Sequence, residues 1–232
     1  MSNTSSYDYS DYEKFGIKNG VERNIYGGWL MLVVICSLLG DSIILIASIK
    51  YKAFNLHRIV VAFIQHIAVC DLLNASLTVL PDTVTVFYNS GGSSMILNQV
   101  RFFITYYVNC LSASLVAALS SGKLLIIKYP LRARSWQTWL AHKICAGIWI
   151  ASLGIPALHL LIDKDDVIFD YRVYGCSYLY TSKAWKILQP ILVIITLFIP
   201  DCIITVSTVL LLKEARKVVR GTNKSLRWLG IM

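Results

Sequence analysis

Polar residues fill the first 24 positions, after which long apolar runs alternate with short polar interruptions. A bilayer core about 30 Å thick is crossed by roughly 20 apolar residues in a helix rising 1.5 Å per residue. Five runs reach that length, approximately Gly28 to Ile49, Ile59 to Val86, Leu97 to Ile127, Lys143 to Ile162 and Trp185 to Leu212. They are continuous rather than alternating in segments of about ten residues, so they predict helices and not barrel strands. The fold class expected is an all-α membrane protein, a bundle of transmembrane helices. An N-terminal tail over 1–27 precedes the bundle at 28–212, and a polar segment over 213–232 follows it.

The basic residues set the orientation, because cytoplasmic loops retain Lys and Arg. Lys50, Lys52 and Arg58 follow the first run, and Lys123, Lys128, Arg132, Arg134 and Lys143 follow the third. Lys213, Arg216, Lys217, Arg220, Lys224 and Arg227 follow the fifth, so fourteen bases face Glu214 alone on that side. The other side carries Asp8, Asp11, Glu13 and Glu22 in the tail and Asp163, Asp165, Asp166 and Asp170 after the fourth run. This pattern predicts a multi-pass protein of the plasma membrane with its N-terminus outside and its C-terminus in the cytoplasm. No basic-then-apolar leader precedes the first run, which must then act as its own insertion signal. Asn3-Thr4-Ser5 is a glycosylation sequon on the outer side, whereas the sequons at Asn74 and Asn223 fall in a helix and in the cytoplasmic segment.

Composition agrees and removes alternatives. The 232 residues are 56% hydrophobic and 15% charged, with a mean hydropathy of +0.61. The net charge of +9 is spread between apolar runs too long for a soluble nucleic-acid binder. Cys36, Cys70, Cys110, Cys145 and Cys202 lie within apolar runs and read as small buried residues, leaving only Cys176 in a polar segment. No metalloprotease, nucleophile-elbow or clustered Cys/His motif appears, and His57, His66, His142 and His159 are scattered over different segments. An enzyme is not expected.

Ionisable residues inside membrane spans tend to be functional, which directs attention to Asp41, Asp71 and Asp201. Asp71 stands in Ala68-Val69-Cys70-Asp71-Leu72-Leu73, with Pro81 ten residues on. Here the chain resembles the rhodopsin-like (class A) G-protein-coupled receptors, whose second helix carries a Leu-Ala-x-x-Asp-Leu pattern. Gly40-Asp41 matches a Gly-Asn pair of the family's first helix, and Pro130-Leu131 follows its third. Trp149 matches the fourth helix, Phe198-Ile199-Pro200 the fifth, and Asn223-Lys224-Ser225-Leu226-Arg227 the basic start of a sixth. The resemblance covers five of the family's seven helices and implies a truncated receptor or a fragment.

The resemblance also assigns roles. The family's Asp-Arg-Tyr at the inner end of the third helix falls on Gly122-Lys123-Leu124, seven residues before Pro130-Leu131, which makes Lys123, Pro130 and Leu131 the candidate G-protein contacts. Lys123 keeps the charge without the guanidinium fork, and its bland reading is a lysine reaching for the interface. The family's third-helix cysteine, partner of the loop cysteine, falls on Asn98, which leaves Cys176 expected as a free thiol. The family's sodium pocket maps to Asp71 and Ser112, with Asp41 adjacent. A sodium ion, a shared proton or a hydrogen-bonded pair of structural role all remain open there. Thr208 replaces the inner fifth-helix tyrosine. Thr105 replaces the aspartate of amine receptors, which implies a ligand other than an amine, with Tyr106 and Asn109 completing the candidate ligand-binding set. The acidic tail and loop favour a basic peptide as that ligand. The partners implied are an extracellular ligand, a heterotrimeric G protein and the bilayer, with no nucleic acid and no cofactor beyond sodium. The alternative from another class is an ion- or proton-coupled transporter relaying protons through Asp41 and Asp71, although no internal repeat is present.

Overall fold

The computed structural model describes residues 20–50, 58–88, 95–163, 167–170, 175–178 and 183–228. Helix α1 spans Gly20–Lys50. Helices α2 (Arg58–Asn74) and α3 (Leu80–Tyr88) are joined through a π-helical segment, Ala75–Val79. The long α4 covers Met95–Lys128 and is followed by a single short turn, α5 (Pro130–Arg134). Next come α6 (Thr138–Ser152) and α7 (Gly154–Asp163), then an antiparallel ribbon of β1 (Val167–Asp170) and β2 (Gly175–Tyr178). Helix α8 (Lys183–Val193) continues through a second π segment, Ile194–Phe198, into α9 (Ile199–Trp228).

Five stretches among the described residues are long and apolar enough to cross a membrane: Gly20–Lys50, Arg58–Tyr88, Ile96–Lys128, Thr138–Leu158 and Pro190–Lys217. They are the first to fifth spans below. The third is the hub, packing against the second, the fourth and the fifth, with the β1–β2 ribbon also resting on α4. Phe63, Cys70, Val108, Leu111, Leu115, Ala141 and Cys145 form the main core between the second, third and fourth spans. A smaller cluster around Phe102 and Leu192 joins the third and fifth spans, with Tyr106, Ile155 and Leu188 against it. In lipid there is no hydrophobic gain from helix association, so close packing of side chains carries these contacts. Gly27 illustrates the constraint. A Cβ there would come within 3.0 Å of the Phe87 ring and 3.2 Å of Val86, so any larger residue would require those side chains to shift where the first span approaches α3. The remaining faces present Leu39, Ile43, Ile46 and Ile49 outward, the surface that acyl chains require.

Several expectations shift. The helices outrun the apolar runs, α1 by eight residues at its start, because Glu22, Arg23 and Asn24 tolerate helix beyond the hydrocarbon layer. The fourth span starts at Thr138 rather than Lys143, and the Lys143 ammonium lies over the Trp139 ring at 4.2 Å, a cation within the first turns rather than an edge. That span breaks at Leu153, where Pro156 cannot return a hydrogen bond to the Ser152 carbonyl. The β1–β2 ribbon, with Phe169 opposite Cys176, was not anticipated and adds a small strand element to the helical bundle. Helix α9 runs unbroken through Trp228, across residues read as a polar segment and the start of a sixth helix, because Glu214, Ala215, Arg216 and Lys217 are strong helix formers with no proline among them. Cys36 and Cys202 are exposed, whereas Cys70, Cys110 and Cys145 are buried. An apolar neighbourhood in sequence does not imply burial when the surroundings are lipid.

Candidate functional site

Along the third span the candidate residues occupy different environments. Thr105 is half-buried. The Tyr106 ring lies on Phe102, with centroids 4.4 Å apart and planes tilted by 36°, and joins the cluster at Leu188 and Leu192 of the fifth span. Asn109, one turn further along, is exposed on a face that no described span covers. Tyr106 is thus a packing residue as well as a ligand candidate, and Asn109 is the polar group left open.

The intramembrane carboxylates sit on the other side of the hub. The Cys70 thiol reaches the Val108 carbonyl at 3.8 Å and fixes the second span against the third. Asp71 follows it, half-buried, within electrostatic reach of Asp41 on the first span. The Ser37 hydroxyl donates to Asp41 Oδ2 at 2.7 Å, one turn away on the same helix. Ser112 is half-buried one turn beyond Val108 and hydrogen-bonds to neither carboxylate. Asp41 and Asp71 lie within electrostatic reach of each other, and Ser112 lies on the helix packed against the second span. Oxygen donors of this kind suit a hard monovalent cation or a shared proton.

At the other end of the third span, Lys123 is exposed and has no ion pair among the described residues, and Gly122 has space: an added Cβ would meet only the Phe63 ring, at 3.8 Å. Tyr129 leaves helical geometry at φ −129°, which ends α4, and Pro130 starts α5 at the position where a missing N–H costs nothing. Leu131 is then 84% exposed on that single turn while Ala133 is buried.

Sequence reasoning missed an ion pair between the second and third spans. An Arg101 Nη on the third span pairs with Asp82 Oδ1 at the far end of the second, and the other Nη donates to Thr85 Oγ1 at 3.3 Å. The two charged side chains are only 14% and 29% exposed. This tie stands one turn from Asn98, which is buried. The signal was present, since Asp82 and Arg101 are both charges near the ends of apolar runs. The side chains of Cys176 and of the acidic loop lie outside the described residues, as does Asn3.

A model of the seven-transmembrane receptors of the rhodopsin family matches residues 40–227, most of the chain. The chain belongs to that family. Among curated proteins, the annetocin receptor of Eisenia fetida is 20% identical over 186 residues, which cover 74% of this chain and 44% of that receptor. The chain therefore spans less than half the length of this relative. Membership agrees with the spans, the hub position of the third helix and the order of Asp71, Trp149 and Pro200. It places this chain in a family of multi-pass membrane receptors.

Proposed function

We propose that the protein acts as a G-protein-coupled receptor, or as the first five spans of one, taking an extracellular ligand other than an amine. The family match over residues 40–227 carries this reading, laid on a bundle whose third span touches all three of its packed neighbours. Thr105, Tyr106 and Asn109 are the ligand-facing set, with Asn109 supplying the uncovered polar group. The annetocin receptor, a relative named for a specific ligand, supports a dedicated diffusible ligand here too. The acidic tail and the Asp163 to Asp170 loop favour a basic peptide. Lys123, Pro130 and Leu131 form the cytoplasmic contact for a heterotrimeric G protein, with Leu131 as its apolar tip. The N-terminus lies outside and the C-terminus inside. Asp41 and Asp71, with Ser112 beside them, hold a sodium ion or a shared proton that biases the bundle between its states.

Two measurements test this. Nucleotide exchange on a purified G protein, by membranes carrying the receptor with these residues, rises with a basic peptide ligand. Asn109→Ala weakens the response to ligand, Leu131→Ala lowers exchange with ligand binding intact, and Asp41→Asn removes its sodium sensitivity. Ion or proton flux in proteoliposomes without any ligand-dependent exchange would overturn the receptor reading. For topology, the expected glycan shift disappears in Asn3→Gln; an unglycosylated tail accessible from the cytoplasm would reverse the orientation.

A further inference from the structure

His66 and His142 are 76 positions apart in sequence, yet His66 Nε2 lies 3.1 Å from His142 Nδ1. The ring centroids are 5.3 Å apart and the planes meet at 61°. His66 stands on the second span, eight residues beyond Arg58, and His142 on the fourth, four residues beyond Thr138. At 1.5 Å per residue these are about 12 and 6 Å along their helices, so the pair sits near the bundle end that carries Lys128 and Lys143. His142 is exposed and His66 half-buried, leaving the contact open on one side.

We propose that His66 and His142 form a zinc site that bridges the second and fourth spans. Zinc binds imidazole nitrogen at about 2.0–2.1 Å, and two such ligands on a tetrahedral ion lie about 3.3–3.4 Å apart. The observed separation is within a few tenths of an ångström of that, a change that a small ring rotation supplies. The two rings are held in place by different helices: His66 stands edge-on to Trp149 at 6.5 Å, and its span is fixed against the third by Cys70 and Val108. Without metal, the contact requires one ring to donate a proton and the other to accept it. Zinc takes both lone pairs instead, with the protons retained on His66 Nδ1 and His142 Nε2. Among the described residues no third His, Cys, Asp or Glu completes a cluster, so the proposed ion takes its remaining ligands from water or another donor at the open side of the pair. Lys143, the nearest cation in sequence, is turned onto the Trp139 ring. A bridging ion there ties together two spans that otherwise meet through apolar packing. The proposal is independent of the receptor reading, because it concerns binding and stability and not signalling.

The test is thermal unfolding of the purified chain in detergent with zinc chloride as the probe. Free zinc at tenfold its Kd raises the midpoint by about 3–5 °C. Magnesium, which seeks oxygen ligands, leaves the midpoint unchanged. His66→Asn and His142→Gln each retain an amide for hydrogen bonding and each lose the zinc shift. Cys36→Ser with Cys202→Ser, which removes the exposed thiols, retains it. A wild-type midpoint that ignores zinc overturns the site, and so does a shift that survives in both histidine variants or disappears with the two cysteines. A pair that only hydrogen-bonds shows destabilised alanine variants and no zinc shift, which also overturns it.

Discussion

The second and fifth spans repeat one local device and use it differently. Ala75–Val79 is a π-helical segment followed by Leu80-Pro81-Asp82, and Ile194–Phe198 is another followed by Ile199-Pro200-Asp201. In each, the residue before the proline donates its N–H five residues back, to Ala75 in one and Ile194 in the other. The cause is shared: proline has no N–H to return and its ring crowds the preceding turn, so widening that turn relieves the conflict. Local hydroxyls help both helices, with Ser76 bonding the Leu72 carbonyl at 2.7 Å and Thr196 the Leu192 carbonyl at 2.8 Å. The aspartates then part company. Asp82 meets Arg101 across a helix interface, whereas Asp201 is exposed on the outer face of the fifth span. An identical local order thus gives a structural ion pair in one span and an open carboxylate in the other, depending only on what stands opposite.

The largest effect that would sharpen this contrast is loss of the pair. Arg101→Met strands the Asp82 carboxylate and is expected to cost about 3 kcal/mol, read from unfolding of the solubilised protein. Adding Asp82→Leu to it restores most of that stability, since no charge is left unpartnered. A loss below about 1 kcal/mol for the single variant would show the tie to be incidental. Next, the two prolines should differ. Restoring a backbone N–H with Pro81→Ala invites an ordinary α turn, which rotates Asp82 by about 100° away from Arg101. Pro81→Ala is therefore expected to cost about 1 kcal/mol more than Pro200→Ala, and a double-mutant cycle should show that excess disappearing in the Arg101→Met background. The smallest effect belongs to Asp201→Leu, which should leave folding stability within about 0.5 kcal/mol, because an outward side chain sees similar surroundings folded or unfolded in the same solvent. A loss comparable to that at Asp82 would mean that Asp201 has a partner and the contrast fails.

Much of the bundle was legible from hydropathy because the bilayer imposes one length scale on every span. The five crossings and the position of Asp71 in the second followed from it. Boundaries were less legible. Lys143 looked like an edge, yet it lies inside α6 and its ammonium rests on the Trp139 ring. The polar residues after Leu212 looked like a loop, yet they continue the helix through Trp228. The candidate site was legible in part: the closeness of Asp41 and Asp71 was anticipated from the family pattern, and the 3.1 Å meeting of His66 with His142 was not. Histidines read as scattered because separation along the chain carries no information about which spans become neighbours.

Hydropathy and residue order alone specify that this chain crosses a membrane as helices, where its prolines fall and which charges lie within the apolar runs. Those properties depend on each residue's own hydration, backbone chemistry and local spacing. Which charges find partners was decided by the tertiary structure alone: Arg101 with Asp82 and Thr85, His66 with His142, and Asp201 left outward. The physical reason is that a hydroxyl can be satisfied by a carbonyl one turn back on its own helix, whereas these charged and imidazole side chains meet their partners on another helix, at distances that the packing of the spans sets.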